Sequence, residues 1–481
     1  MIILDDLNYY YMMYFIIIII ILCVLFYFYT KKKYNNIDKI GINIPIEIYT
    51  KNNKLRGTIL DIFMKISIKY PHLSALMVKK TKKTWNTINY SKFYEQVLNF
   101  AESTNHWFGN KIDVALIGNN STGWLYSHLG TMLNGGISVI INPNYTPAEI
   151  EQIINKTNPT ILIIDGNSQL NKIVDININN IQTIVYYSPI EEQTLTKFKI
   201  PVVSIGSYMS EKKSIDKNIF PKINDIASII YTEDMRQELS YNGTVYTHKN
   251  IMSLCYSILD DIQNSSGNNF VVGEKYISHL SINNIFTQIF DIYLPICTLG
   301  RVWVVNQDIS NSKLMTIINN VKPSIFIGTR SFWNNLKNNM MDHINSKNYI
   351  DNIHDFYYSK NILQYYGFDQ CKLPIICNND ISESTSNFFA NLNLNIYDFF
   401  CLPKSHYPIA FSFNEQHKKY SIGKHFSSIK TKINTKGEIL IKGALICRDD
   451  NELDENNDKS EWYNTKFIGY VDSDNFIFIK K

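Results

Sequence analysis

Four short apolar runs, Val114–Ile117, Ile137–Ile141, Thr160–Ile164 and Gln182–Tyr187, recur with helical stretches between them. That alternation constrains the fold more than any other feature of the chain. Runs of this kind read as strands buried on both faces, which need cover on both sides. Strands separated by helices connect in parallel through crossovers. A second set of the same kind spans roughly residues 226–394, with strands at Arg301–Val305 and Ser324–Ile327. Ahead of the first set, residues 55–78 read as helix then strand, Trp85–Ile88 as a second short strand, and Tyr90–Ala101 as an amphipathic helix. From about Phe411 the pattern becomes strand-rich, with turns such as Thr435-Lys436-Gly437, and reads as a small β subdomain. The expected class is α/β: an α/β domain over residues 55–410, with 411–481 as its β-rich end.

A different signal precedes this domain. Tyr9 to Tyr29 carries no charge and includes six consecutive isoleucines, Ile16–Ile21. At ~1.5 Å rise per residue such a segment spans about 31 Å, the thickness of a bilayer core. Tyrosines at both ends suit the membrane interfaces, with Asp5 and Asp6 before the run and Lys31–Lys33 after it. The positive-inside rule then puts the lysine side in the cytosol and the short N-terminus across the membrane. A cleaved signal peptide would need a basic start, a shorter core and a small-residue cleavage site, and none is present. The expectation is a single-pass transmembrane helix within residues 1–30, a polar linker over 31–54, and a membrane protein whose bulk is cytosolic.

Composition narrows the function classes. The net charge is only +4 and the basic residues are scattered, so nothing points to nucleic acid. Seven cysteines (Cys23, Cys255, Cys297, Cys371, Cys377, Cys401, Cys447) lack CxxC spacing, which argues against a disulfide framework or a zinc site and for free thiols in a reducing compartment. Low-complexity patches such as 175–180 and 451–457 read as surface loops.

The most telling local pattern is Ile226-Ala-Ser-Ile-Ile-Tyr-Thr232, a buried strand, followed by a polar stretch and then Asn242-Gly-Thr-Val-Tyr-Thr-His-Lys-Asn-Ile251, where a helix starts near Thr247. Strand, loop and helix in that order are where an α/β protein cradles phosphates on backbone N–H groups. The frame resembles the ATP-dependent, AMP-forming acyl-activating superfamily, whose strand ends in Tyr-Thr-Ser-Gly-Thr-Thr-Gly-x-Pro-Lys-Gly. Tyr231, Thr232, Gly243, His248, Asn250 and Ile251 match it. Within the superfamily the chain is most similar to long-chain acyl-CoA synthetases of the bubblegum type, from about Trp85 onward. The segments 114–124, 135–139, 145–149, 288–293, 321–328, 421–424 and 437–443 follow that family in order and spacing.

The departures cluster at the positions that the resemblance assigns to chemistry. Between Thr232 and Asn242 the loop is two residues longer, has no glycine, and carries Glu233, Asp234 and Glu238. Carboxylates repel a triphosphate where donors are needed. The loop lysine falls on Asn242, the active-site histidine on Asn284, the adenine segment on residues 376–380, and the Mg²⁺-holding glutamate on Lys404. The ribose-binding aspartate falls on Phe467. A carboxylate-to-lysine change reverses the charge that a divalent metal needs. Cys377 and Cys401 fall at family glycine positions, with no His-and-carboxylate arrangement to mark either as a nucleophile. Asp291 and Trp333 resemble family packing positions. The sequence ends at Lys481, before the hinge of the family's mobile lid domain, so the lid is expected to be absent.

The nucleotide-site positions are therefore Thr232, Asn242, Gly243, Asn284, Lys404 and Phe467, mostly substituted, with no catalytic or metal-ligating residue expected. Three readings follow: a membrane-tethered pseudoenzyme that binds lipid or acyl-CoA or acts as a scaffold, with no cofactor; an active fatty-acid–CoA ligase using ATP and Mg²⁺; and a purely structural membrane protein.

Overall fold

The structure is a computed structural model that describes residues 57–81, 84–216, 219–231, 243–267, 270–306, 309–346, 356–377, 381–402, 407–413, 418, 420–443, 446–449 and 462–480. The expected membrane anchor and the linker lie outside the described residues. Among those described, no helix is long and apolar enough to cross a membrane.

Two sheets organise the described residues. The first holds eight strands in the order 448–449, Thr244–Thr247, Ile226–Tyr231, Ser138–Ile141, Val114–Ile117, Ile161–Ile164, Thr183–Tyr186 and Val202–Ser204. All neighbouring pairs from Ile226–Tyr231 to Val202–Ser204 are parallel. The apolar runs form these strands because both faces are covered: Val114–Ile117, Ser138–Ile141 and Ile161–Ile164 are buried along their whole length. The crossover helices start where the sequence supplies caps. Ser121 accepts a hydrogen bond from the Trp124 N–H to open Thr122–Leu133. Thr146 and Glu149 form a reciprocal capping box at the start of Pro147–Thr157, a device worth about 1 kcal/mol. That helix ends on Asn158 in the left-handed region, at φ 49°.

The second sheet holds thirteen strands among the described residues. Its parallel part runs Tyr397–Cys401, Leu373–Cys377, Ile325–Ile327, Lys275–Ser278, Arg301–Val304 and Ser74–Lys79. The N-terminal hairpin Ser74–Lys79/Trp85–Asn89 thus joins the second sheet, beside strands more than two hundred residues away in sequence. The strand-rich end continues the same sheet through antiparallel pairing, with Tyr397–Cys401 against Pro408–Ser412 and then Ser421–His425, Phe476–Ile479, Tyr463–Val471, Glu438–Gly443 and Ile429–Ile433. The strand-rich end read from the sequence thus extends the second sheet.

One local expectation is corrected. The helix is not the next described element after Ile226–Tyr231: Thr244–Thr247 first returns as a strand antiparallel to it, and the helix His248–Ser266 begins after that strand. Thr247 caps that helix with Asn250 in a capping box, and Gly267, at φ +68°, ends it.

Polar contacts tie the sheets together at the carboxyl ends of their central strands. The Asn120 side chain, just past Val114–Ile117, donates to Ser278 Oγ at 2.9 Å and to the Leu280 carbonyl at 2.7 Å, and accepts from the Ile282 N–H at 3.1 Å. Asn283 Nδ2 donates to the Gly118 carbonyl at 2.9 Å. Deeper in, His128 Nε2 and the Tyr293 hydroxyl are 2.8 Å apart. The largest apolar cluster fills the space around these ties, with Trp124, Ile251, Ile258, Phe290 and Tyr293 among its buried members.

Candidate functional site

In open α/β sheets ligands bind beyond the carboxyl ends of the strands; Gly243 stands beside the carboxyl end of Ile226–Tyr231 and Asn284 follows Lys275–Ser278, whereas Phe467 lies within the strand Tyr463–Val471. Thr232, Asn242 and Lys404 lie outside the described residues; Gly243, Asn284 and Phe467 are described.

Gly243 opens the returning strand of the hairpin. A Cβ at this position would come within 2.5 Å of Ile229 Cγ2 and 2.7 Å of Tyr231 Cζ. Glycine is required here so that the backbone can pass over the buried Tyr231 ring, which is a packing role.

Asn284, which the resemblance aligns with the active-site histidine, spends its amide locally. Its Oδ1 accepts from the Thr287 N–H at 2.9 Å and from the Thr287 hydroxyl at 3.1 Å, and its Nδ2 donates to the Ser281 carbonyl at 3.3 Å. It is the N-cap of the short helix Ile285–Gln288. An amide of this kind neither titrates near neutral pH nor carries charge.

From that helix Phe286 reaches Phe399, with ring centroids 5.7 Å apart, and Phe290 packs against Phe399 at the same separation. Phe399 lies in the strand Tyr397–Cys401, where successive side chains alternate between faces. Phe400 therefore points away from Phe399, and there it meets Phe467, centroids 5.7 Å apart and planes inclined 68°. Phe286 and Phe290 on one side and Phe467 on the other thus pack on opposite faces of one strand. The Phe467 N–H donates to Thr465 Oγ1 at 3.2 Å, and that hydroxyl donates to the Ile439 carbonyl at 2.7 Å, which fixes the position on Tyr463–Val471. The resemblance places a carboxylate at 467 to accept hydrogen bonds from a ribose. The phenyl ring offers no acceptor and is turned to edge-on aromatic packing, so the residues present do not fit a ribose.

Behind the site lies a tier of buried titratable groups. Burial lowers the pKa of His128 to about 3, helped by the nearby His248, and lowers those of His248 and His279 to about 4. All three imidazoles are neutral at pH 7. His279 stacks face to face on Phe326, centroids 5.0 Å apart. Asp291 is pushed up to about 8 by burial, opposed by a hydrogen bond from Ser278. It is therefore mostly protonated at pH 7, a buried carboxylic acid in a packed helix. Trp333 is fully buried and donates through Nε1 to the Ile375 carbonyl at 3.1 Å. Both residues occupy packing positions, as the sequence suggests.

Sequence reasoning missed two features. One is the His128–Tyr293–Gln288 chain, in which the Tyr293 hydroxyl donates to Gln288 Oε1 at 3.3 Å and Gln288 Nε2 donates to the Ile282 carbonyl at 2.9 Å. The other is that Cys377 and Cys401 touch, sulfur to sulfur, at 3.1 Å. The only sequence signal for the second was that both stand where the family has glycine.

Comparison with known proteins agrees with this architecture. The family model described as AMP-binding enzyme matches residues 67–232 and 242–448. The long-chain-fatty-acid–CoA ligase ACSBG2 of Mus musculus is 23% identical over 477 residues, covering 88% of this chain and 69% of the relative. The long-chain-fatty-acid–CoA ligase ACSBG1 of Rattus norvegicus is 22% identical, covering 89% and 64% respectively. Among solved structures, the anthranilate CoA ligase AuaEII in complex with anthranoyl-AMP superposes with a TM-score of 0.67 at 14% identity, over 88% of this chain and 76% of that one. The N-terminal domain of FACL13 from Mycobacterium tuberculosis gives 0.67 at 14% identity, over 89% of this chain and 100% of that one. The matched family model covers most of the chain, and the chain belongs to the AMP-binding enzyme family.

Proposed function

We propose that this chain is a membrane-tethered, catalytically inactive homologue of the long-chain fatty-acid–CoA ligases that keeps the fold as an acyl binder or scaffold. The observation that carries this reading is the Phe400–Phe467 pair, which puts aromatic packing where an active relative needs a carboxylate. The sequence supports it from three other directions: a glycine-free acidic loop at 233–241, Asn242 in place of lysine, and Lys404 in place of a metal-holding carboxylate. Adenylation requires these groups to act on one transition state, and losing a single electrostatic donor typically costs ~10²–10³ in rate. The acyl side of the reading rests on the similarity to long-chain-fatty-acid–CoA ligases. The membrane side rests on the uncharged 9–29 segment and its flanking charges.

Thermal melts of the full chain in detergent, run separately with Mg-ATP and with a long-chain acyl-CoA, test the reading. A ligand at a hundredfold excess over its Kd stabilises the native state by about 2.7 kcal/mol. The expected result is an upward shift with acyl-CoA and none with millimolar Mg-ATP. A shift with Mg-ATP would favour a working ligase, and no shift with either would leave the scaffold role alone.

A further inference from the structure

The Cys377–Cys401 contact has a chemistry of its own. Leu373–Cys377 and Tyr397–Cys401 are neighbouring parallel strands in which Cys377 pairs with Phe399. Cys401, two residues further on, leaves the sheet on the same face as Cys377, because side chains alternate with a period of two. Both are in the thiol form, with sulfurs 3.1 Å apart. Two thiolates sharing a tetrahedral zinc ion at ~2.3 Å would stand about 3.8 Å apart, whereas a disulfide needs ~2.0 Å. The observed separation is too short to seat a metal and about one ångström from a bond. Among the described residues, no group of three histidine, cysteine or acidic side chains gathers that could hold a metal here.

The two sulfurs differ in access. Cys377 is half-buried and Cys401 is 2% exposed. Burial, and then the contact with Cys377, push the Cys401 thiol well above its ordinary range. Cys377 is therefore the sulfur that a reagent reaches first. The molecule also carries an internal control. Cys255 and Cys297 interact in the same way but are 0% and 1% exposed, on helices inside the largest apolar cluster. Proximity is common to both pairs; only the first pair can be reached.

We propose that Cys377 and Cys401 form a reversible cross-strand dithiol–disulfide site that reacts with low-molecular-weight disulfides of the glutathione class. The Cys377 thiolate attacks one sulfur of the small disulfide. The S–S bond breaks, a mixed disulfide forms on Cys377, and one small thiolate leaves and takes up a proton. Cys401 gives up its proton and attacks Cys377 Sγ, expelling the second small thiol. The protein loses two electrons and two protons, and one small disulfide takes them up to become two thiols. The bridge would tie the strand end leading into 378–380 to the one leading into 403–406, the segments aligned with the family's adenine and metal motifs. The proposal stands on the contact and does not depend on whether the protein is a ligase.

The test equilibrates the full chain with millimolar glutathione disulfide, quenches with acid, alkylates remaining thiols and maps the peptides by mass spectrometry. The expected result is a Cys377–Cys401 linked peptide, lost on treatment with dithiothreitol, while Cys255 and Cys297 are recovered alkylated. Cys401→Ser should accumulate a stable glutathione adduct on Cys377, and Cys377→Ser should leave Cys401 unmodified. The proposal is overturned if Cys377 and Cys401 are recovered from the unaltered chain as separate alkylated thiols, or if Cys377 stays as the mixed disulfide. Peptide mapping of the unaltered chain decides the matter even where a serine variant folds poorly.

Discussion

Two regions of the molecule are built by opposite rules. At the junction around Asn120, Ser278 and Asn283, buried amides and hydroxyls meet specific backbone partners at 2.7–3.1 Å. Around Phe400 and Phe467, the position that the resemblance assigns to a ribose-holding carboxylate is given over to an aromatic ring, and two positions that it aligns with glycine carry touching thiols. The difference separates what the fold needs from what the family's reaction needs. A buried hydrogen bond that assembles the sheets is costly to lose, since each orphaned partner costs about 1–3 kcal/mol. A group that only meets a ligand can change without cost to folding once the ligand no longer matters.

Removing a junction amide is the harshest way to probe this contrast. Asn120→Ala deletes two donated bonds and one accepted bond, leaving the Leu280 carbonyl and the Ile282 N–H without their partner. The expected loss is about 3–5 kcal/mol, read by urea denaturation. A loss below about 1 kcal/mol would mean that the sheets are held by apolar packing alone.

The pH dependence of stability tests the buried tier on the junction side. His128, His248 and His279 have native pKa values of about 3, 4 and 4. Their unfolded forms take up protons below about 6.5, so stability falls as pH drops from about 6.5 to 4. Asp291, at about 8 in the native state, works the other way: the folded form keeps a proton that the unfolded form loses above about 3.9, so its contribution declines as pH rises towards 8. Between pH 4 and 6.5, three protons on unfolded histidines against one on native Asp291 leave a net of about two. These four groups then give a positive slope of about 2.7 kcal/mol per pH unit. Between 6.5 and 8 the slope turns negative, and Asp291→Asn should flatten that limb. A curve flat from 4 to 8 would show that these side chains are solvated in the native state.

The cleft side should respond least. Phe467→Asp restores the family's carboxylate but loses the half-buried contact with Phe400, for an expected cost of about 1–2 kcal/mol. It should bring no stabilisation by Mg-ATP. A gain of nucleotide binding from this one change would place the block in a single ring.

How much of this could be read beforehand differs between the same two regions. Five of the eight first-sheet strands were legible to within a residue, because burial on both faces leaves uninterrupted apolar runs, as at Ile161–Ile164. A helix start was legible where a cap stood, as at Thr247. The returning strand Thr244–Thr247 was not, since four residues ending in a helix cap look like the approach to the helix. Periodicity also cannot name a partner, so it could not place Ser74–Lys79 beside Arg301–Val304 or bring Cys377 to Cys401 across 24 residues. At the candidate site, the substitutions at 284 and 467 were readable as types. That Asn284 caps a helix and Phe467 packs on Phe400 depends on geometry that no single sequence carries.

We propose that the fold persists while the adenylation chemistry does not. Carboxylate-dependent ATP–pyrophosphate exchange with long-chain fatty acids, measured on the purified full chain beside Lys404→Glu and Asn242→Lys, tests it most directly. All three should stay at background, because the groups act as a unit and restoring one does not restore the set. Exchange above background in the unaltered chain, abolished by Thr232→Ala, would contradict the account.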